Sequence, residues 1–272
     1  MPAGSVTAKN LKYWLNKITR KPNPYTQFTI IDIEEIAEID DELKDHIEDI
    51  ILKCRFPDGL LDDIAEYIGD EAITKKITCP NLPTFLSLRR GYFGEALLGE
   101  ILVQLFEYKI PIQKLQYSII ANLSLPRTDI VVIKHSEEDI SELCFVESKL
   151  RTIEDKLVAV NAFNQLKKDY SKDIPDLLIW ILARLKEKND PLYPTFLAYM
   201  FDTRDTTNKE KFLIGLIYDT NNWSETILSN LDENIDTINN EIIVNLIRIE
   251  ELALLTDDIY KRIGVIEVIE DE

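Results

Sequence analysis

The sequence predicts an α/β protein in which helices pack on a mixed central sheet. Three observations predict this class: one long apolar helical segment, three strand-like segments directly after it, and a helix with further strands beyond them. Hydrophobic residues make up 45% of the 272 residues, which is enough to build a packed core. We therefore expect one large domain, or a core with an additional lobe.

The long helix is expected over residues 84–108, because apolar residues recur there at helical spacing. Gly91 and Gly94 interrupt this pattern shortly before Glu95. Each glycine inside a helix costs about 1 kcal/mol relative to alanine. The two glycines therefore indicate that a strand or another backbone segment closely approaches this helix.

The expected strands share β-branched and aromatic residues and are bounded by turn residues. They are Lys114–Leu123, Thr128–Lys134, Glu142–Lys149, Thr195–Phe201, Phe212–Tyr218 and Glu241–Ile249. Apolar spacing predicts helices at Ile153–Tyr170 and 175–189, and the acidic tail from residue 250 is expected to be partly helical. The polar segment 135–141 predicts a hairpin loop between the second and third strands.

Residues 1–80 are expected to form a mostly helical N-terminal lobe with a possible role in partner binding. Apolar positions within 30–52 lie close to helical spacing, and a short acidic helix is expected around 59–68. Prolines then break the pattern near residue 80. The second predicted domain, 81–272, holds the central sheet and an acidic C-terminal extension.

The net charge of −18 is unevenly distributed along the chain. Residues 81–170 carry a charge of −1, whereas 1–80 carry −6 and 171–272 carry −11. Because phosphates repel acidic side chains, the middle third is the part best suited to contact nucleic acid. The acidic ends fit solvated surface, or alternatively a protein that depends on a partner for delivery to DNA.

Cysteine and histidine content excludes several classes of site. Cys54, Cys79 and Cys144 lie far apart with no CxxC pair, which is typical of a chain in a reducing cytosol. His46 and His135 are the two histidines, so a Ser-His-Asp enzyme or a multi-histidine metal site is nearly excluded. No apolar run is long enough for a membrane helix, and no signal peptide is apparent. We expect a cytoplasmic protein.

Four charged residues occupy positions that the predicted fold would bring together. Glu95 lies in the long helix, Asp129 opens the second strand, and Glu147 ends the third strand with Lys149 two residues beyond. Side chains alternate along a strand, so Glu147 and Lys149 point to the same face. A hairpin would place Asp129 beside Glu147 at one edge of the sheet.

Such a set of residues suits metal-assisted phosphate chemistry. Mg²⁺ prefers a few carboxylate oxygens and keeps waters that substrate phosphates can replace. A neighbouring ammonium, here Lys149, can orient or help deprotonate the attacking water and stabilise the developing charge. The backbone carbonyl of Ser148, between the two side chains, is a further candidate ligand.

This order of elements and acidic residues resembles the PD-(D/E)xK nuclease superfamily, which has a restriction-endonuclease-like αβββαβ core. The resemblance covers about residues 84–201. It implies that Glu95, Asp129, Glu147 and Lys149 are catalytic, and that the three carboxylates and Ser148 hold Mg²⁺ or Mn²⁺. One departure concerns the first half of the motif, because the nearest proline stands three residues before Asp129 rather than next to it.

Five further residues are candidates for DNA binding or support. Many members of the superfamily have a glutamine and a tyrosine in the following helix, and Gln165 and Tyr170 resemble them. Lys167 and Lys168 could extend this helix face towards DNA, or could be solvated surface charge. Arg127 could contact a phosphate, and surface charge is an equal alternative.

The segment Arg90–Leu98 resembles the Gly-x-x-Gly-Glu helix of the nuclease subunit of Hachiman-type phage defence. That subunit works beside a superfamily-2 helicase, so the resemblance implies a DNA endonuclease that its partner holds in check and activates. Two alternatives stay open: a stand-alone restriction-type endonuclease, and a catalytically silent interaction subunit with a nuclease-like fold. A homo-oligomer is possible in each case.

Overall fold

The computed structural model of the chain describes residues 10–21, 23–57, 59–69, 82–117, 128–172, 174–202, 209–236 and 240–264. Within these ranges the strands are β1 (Leu15–Thr19), β2 (Thr29–Glu35), β3 (Ile130–His135), β4 (Ile140–Arg151), β5 (Glu210–Asp219) and β6 (Glu241–Ile249). The α-helices are α1 (Asp41–Arg55), α2 (Leu60–Ile68), α3 (Leu86–Phe106), α4 (Val158–Lys172), α5 (Ile174–Glu187), α6 (Tyr193–Met200), α7 (Thr226–Asn234) and α8 (Leu252–Ile263).

The described strands form one six-stranded mixed sheet in the order β1-β2-β6-β5-β4-β3. The inner strands β2, β6, β5 and β4 run parallel to one another, whereas β1 and β3 pair antiparallel at the two edges. Strands buried on both faces are expected to be almost continuously apolar. β5 meets this expectation, since its residues from Phe212 to Asp219 are all buried. The predicted α/β class with a mixed sheet is confirmed.

Helices cover both faces of the sheet. One buried cluster joins α1, α3 and α8 to one face, and includes Leu98 and Val146. The second cluster joins α4, α5, α6 and α7 to the other face, and includes Phe145 and Phe163. Neighbouring residues of β4 therefore face different helical layers. Consequently Glu147 and Lys149 lie on the α4 face, while Ser148 and Leu150 lie on the α3 face.

Most of the predicted elements agree with the structure. The long helix is α3, the strands predicted at Thr128–Lys134 and Glu142–Lys149 are β3 and β4, and the last two predicted strands are β5 and β6. The helices predicted at Ile153–Tyr170, 175–189, 59–68 and in the tail are α4, α5, α2 and α8. These segments carry strong, regular apolar patterns, and such patterns are the most reliable local signal.

Two predicted strands do not form as expected. Thr195–Phe201 was predicted as a strand, but its residues up to Met200 lie in helix α6, where a proline stands in the first turn and Phe196 and Tyr199 pack on one side into the core. Tertiary packing thus overrides its high β-propensity. The described part of Lys114–Leu123, Lys114–Tyr117, is a 3₁₀ turn, and the rest of that segment lies outside the described residues. The strand predicted at Thr195–Phe201 is therefore wrong, and β5 is the strand that follows the helices. The first strand of the predicted αβββαβ order stays a prediction beyond Tyr117.

The N-terminal region contributes strands as well as helices. β1 and β2 extend the sheet through the pairing of β2 with β6, so the sheet is shared with the region predicted as a separate lobe. Apolar residues at near-helical spacing from Ile33 onward led to the prediction of a helix where β2 is a strand. The helix itself begins at Asp41, after the N-cap residue Asp40. The predicted boundary at residue 80 lies outside the described residues.

Candidate active site

The candidate site lies where strand β4 continues beyond its neighbour β3. The last residue pair between these strands is Ile130–Val146, but β4 runs on to Arg151. Over residues 147–151, β4 keeps its pairing with β5 on the other side. Among the described residues, no strand pairs with this stretch on the β3 side, and edge backbone groups of this kind are available to side chains and ligands.

Asp129 reaches into this gap from the start of β3. Its Oδ2 accepts a hydrogen bond from the backbone N–H of Ser148 at 2.9 Å. Lys114 lies beside it and donates from Nζ to the backbone carbonyl of Thr128 at 2.8 Å. The predicted approach of Asp129 to the Glu147–Lys149 segment is thus present in the structure, through the backbone of Ser148.

Glu147 is deeply buried, with 3% of its surface exposed. The ammonium of Lys149 donates to Glu147 Oε1 at 2.6 Å. The other oxygen, Oε2, is buried and has no hydrogen-bond partner among the described residues. A buried carboxylate oxygen without a partner is costly, and such an atom is expected to serve a ligand or another function.

Glu95 is brought to the site by the packing of α3 on β4. A Cβ built on the neighbouring Gly94 would lie 3.1 Å from Leu150 Cβ and 3.2 Å from Ser148 Oγ. The close approach predicted from the glycines is confirmed at Gly94. It is wrong at Gly91, where a Cβ would meet no atom within 4 Å.

The carboxylates of the site repel one another. Burial and the charge of Asp129 raise the pKa of Glu147 to about 7. Burial, followed by repulsion from Asp129 and Glu147, also raises the pKa of Glu95 well above its usual value. Burial raises the pKa of Asp129, although the N–H of Ser148 and the charges of Lys149 and Lys114 oppose this rise. Perturbed groups of this kind cluster at functional sites.

Asp169 on helix α4 is a further acid of this cluster that the sequence analysis missed. It is 2% exposed, and its charge raises the pKa of both Glu147 and Asp129. Gln165 donates to its Oδ1 at 2.8 Å, while Oδ2 is buried with no partner among the described residues. The available signal was its position three residues after buried Leu166, on the apolar stripe of the helix.

The other predicted supporting residues are spread more widely. Tyr170 packs edge-on against Phe145 and Phe212, and its hydroxyl donates to Glu210 near the start of β5. Lys167 forms an ion pair with Asp236 on the surface, and Lys168 is exposed. Arg127 lies outside the described residues. Of the four described members of this group, the structure brings Gln165 alone into contact with an acid of the cluster.

The donor chemistry of the cluster fits a hard divalent cation such as Mg²⁺. Two buried carboxylate oxygens, on Glu147 and Asp169, have no partner among the described residues, and the carboxylates lack full charge compensation. In the described part of the chain, no three acidic, histidine or cysteine side chains are already arranged to hold a metal ion. Mg²⁺ does not require such a set, because it is commonly bound by one or two carboxylates plus waters and phosphate.

Comparison with models of protein families places the chain in a known family. A family model described as HamA matches residues 9–263, which is nearly the whole sequence. The chain belongs to the HamA family. This HamA-family membership makes it a component of Hachiman-type anti-phage defence and agrees with the resemblance of Arg90–Leu98. It also implies action within a defence-system complex.

Two further comparisons concern this HamA-family chain. A search of curated proteins gave no match. In the described ranges, none of the helices has both the length and the apolar character needed to cross a membrane. The relation to the PD-(D/E)xK superfamily stays a prediction, supported by the order of α3, β3 and β4 and by the residues that they bring together.

Proposed function

We propose that this HamA-family chain is a metal-dependent DNA endonuclease, the effector subunit of a Hachiman defence complex. The observation that carries the proposal is the meeting of Asp129, Glu147 and Lys149 at the uncovered edge of β4. Carboxylates with unpaired buried oxygens, beside an ammonium group, form a set suited to phosphodiester hydrolysis.

Asp129 and Glu147 are proposed to hold Mg²⁺ or Mn²⁺, with Glu95 and Asp169 nearby. The Ser148 carbonyl is expected to face the same gap, because the N–H and C=O of one strand residue leave the backbone on the same side. When bound, the metal would neutralise phosphate charge and lower the pKa of a coordinated water. It would also offset the repulsion that raises the pKa of Glu147.

Lys149 has two proposed roles in this chemistry. Its ammonium already lies 2.6 Å from Glu147, so it is held in a fixed position at the site. There it can orient the attacking water and stabilise the negative charge that develops on the phosphate oxygens. Hydrolysis adds the water oxygen to phosphorus and breaks one P–O ester bond, and the leaving oxygen takes up a proton.

The helicase-type partner is proposed to control this activity. A chain with a net charge of −18 repels DNA over much of its surface, so unaided binding is expected to be weak. A partner that delivers DNA would overcome this barrier. If the chain is a stand-alone restriction enzyme, the purified chain should cleave DNA. If it is a partner-controlled subunit, it should show little activity alone.

Plasmid cleavage with Mg²⁺ tests the proposal. Wild type and the double variant Glu147→Ala/Lys149→Ala are compared, each with and without the neighbouring-gene helicase and ATP. Lys134→Ala/Glu142→Ala is the matched control, because it removes another glutamate–lysine ion pair from the same β3–β4 hairpin. We expect cleavage by wild type and the control only in the presence of the helicase, and none by the active-site variant.

Each other outcome has a defined meaning. Cleavage that survives in the active-site variant would place the activity elsewhere or in a contaminant. Cleavage without the helicase would favour the restriction-type enzyme. If wild type cleaves nothing with helicase and ATP and shows no metal-dependent change in melting temperature, the chain is the silent interaction subunit and the proposal is wrong.

A further inference from the structure

A small basic pocket adjoins the carboxylate cluster on the α3 side of the sheet. It has a volume of about 280 Å³ and is lined by Ser87, Arg90 and Gly91 of α3 and by residues 148–153 at the end of β4. Ser148 and Lys149 belong to both the pocket and the candidate active site. A ligand in the pocket would therefore lie directly beside a group bound at the carboxylates.

The pocket is cationic in a strongly acidic chain. Arg90 supplies its positive charge, because the side chains of Lys149 and Arg151 alternate to the α4 face and these two residues border the pocket through the strand. Among the described residues, no acidic side chain lines the pocket. A larger groove between the end of β2 and the start of α8 shows the contrast, because it is lined by five acidic residues and one lysine. The pocket is thus suited to an anion, whereas that groove is not.

Arg90 is the residue that makes the pocket suited to bind an anion. It is half-buried, and within the described part of the chain no acid or hydrogen-bond acceptor occupies its guanidinium. Arg151, by contrast, already donates to Asp155 at 3.1 Å. In a chain with 49 acidic and 31 basic residues, a half-buried arginine without an acidic partner is a position available for an external anion.

Two neighbours of Arg90 leave the pocket open and polar. A Cβ on Gly91 would meet no atom within 4 Å, so the helix surface there leaves room for a ligand. The Oγ atom of Ser148 is buried and has no hydrogen-bond partner among the described residues. Both features agree with a site for a small, strongly accepting group.

We propose that this pocket binds a backbone phosphate of the nucleic acid strand, next to the phosphate held at the carboxylates. Arg90 is the main contact, with the Ser148 hydroxyl beside it. The choice of ligand rests on the proposed nuclease function, because the adjoining site handles a phosphodiester. The pocket would fix the position of the strand along the edge of β4, so Arg90 is a binding residue and not a catalytic one.

A binding assay in EDTA tests this inference without requiring hydrolysis. A fluorescein-labelled 20-nucleotide single-stranded DNA is titrated with wild type, Arg90→Ala and Arg184→Ala. Arg184 is a similarly half-buried arginine on the opposite face of the sheet, already paired with Glu187. We expect Arg90→Ala to bind the DNA about 10-fold more weakly. The slope of log K against the logarithm of the salt concentration should be smaller by about 0.7, because one phosphate contact is lost. Arg184→Ala is expected to bind like wild type.

A second arm uses inorganic phosphate as the probe. At matched ionic strength, phosphate in place of chloride is expected to raise the melting temperature of wild type but not of Arg90→Ala. Gly91→Glu, which adds a carboxylate in open space, should weaken DNA binding like Arg90→Ala while keeping a cooperative melting transition. Equal behaviour of Arg90→Ala and Arg184→Ala in both arms would overturn the inference. Phosphate stabilisation without any effect on DNA binding would indicate a free anion and would also overturn it.

The outcomes separate this inference from the proposed function. If Mg²⁺-dependent cleavage requires Glu147 but Arg90→Ala binds and cleaves like wild type, the pocket inference fails and the nuclease stands. If Arg90→Ala weakens DNA binding but no cleavage is ever detected, the pocket stands and the hydrolytic function fails.

Discussion

The backbone N–H of Ser148 donates a hydrogen bond to Oδ2 of Asp129 at 2.9 Å, at the point where the pairing with β3 stops and β4 continues. This bond gives the uncovered backbone of β4 a side-chain partner in place of a strand. It also fixes the Asp129 carboxylate next to the segment that carries Glu147 and Lys149. The geometry of the candidate site therefore follows from a difference in length between two paired strands.

Replacing Glu147 by glutamine should change how stability depends on pH. The glutamate has a pKa of about 7 in the folded chain and 4.5 as its ordinary value, so the folded state retains a proton that the unfolded state releases between these values. The free energy of unfolding of wild type should therefore fall as pH rises from 4.5 to 7, and level off above. The size of this contribution is about 3 kcal/mol.

Urea unfolding at pH 4.5, 6 and 8 measures this effect. Relative to wild type, Glu147→Gln should gain stability across the window, with the largest gain at pH 8. Glu66→Gln, at an exposed position on α2, is the control and should run parallel to wild type. Parallel curves for Glu147→Gln as well would show that Glu147 is not the titrating group.

Removing the lysine partner should have the opposite effect. Lys149→Met leaves the buried Glu147 without its ammonium, so the pKa of Glu147 should rise further and stability at pH 8 should fall. We expect a loss of about 1–3 kcal/mol, since Lys149 is partly exposed. In the double variant Glu147→Gln/Lys149→Met most of this loss should be absent, and a fully additive double-mutant cycle would contradict the coupling.

Asp169 should influence Glu147 through its charge. Asp169→Asn keeps an acceptor for Gln165 but removes the negative charge that raises the pKa of Glu147. The pH range over which wild type loses stability should therefore shift to lower pH in this variant. Asp176→Asn, on the exposed surface of α5, is a matched control. If the pH range is unchanged in Asp169→Asn, the charge of Asp169 does not affect the titration of Glu147.

Divalent metal should stabilise the folded chain at pH 8. If Mn²⁺ binds the carboxylates, a concentration 100-fold above its dissociation constant adds about 2.7 kcal/mol to the free energy of unfolding. Asp129→Asn should abolish the rise in melting temperature. Asp139→Asn, which alters an exposed loop aspartate paired with Lys209, should retain it. A rise that persists in Asp129→Asn would place the metal elsewhere.

Two glycines of α3 should respond differently to alanine. Gly91→Ala meets open space and should stabilise the helix by up to about 1 kcal/mol. Gly94→Ala adds a methyl group 3.1 Å from Leu150 and 3.2 Å from Ser148 Oγ, so it should lose about 1–3 kcal/mol through displacement of α3 from β4. Thermal unfolding of both variants measures the difference, and equal gains would contradict the close packing at Gly94.

Local patterns in the sequence predicted much of the site. The apolar stripe predicted α3, β-branched runs predicted β3 and β4, and the alternation of side chains placed Glu147 and Lys149 on one face. The hairpin then predicted the approach of Asp129. All of these inferences depend on residues close together in the chain or on one short connection.

Long-range packing decided the rest. The pairing of β2 with β6 joins segments about 210 residues apart, and nothing in either segment specifies the other. Residues 195–200 are helical because Phe196 and Tyr199 are buried against the α4 face. Asp169 joins the site because α4 packs on the face of β4 that carries Glu147. The sequence by itself determined which groups could react and where the main elements lie. Only the tertiary structure decided which groups are buried together, because burial and charge repulsion depend on neighbours that are distant in the chain.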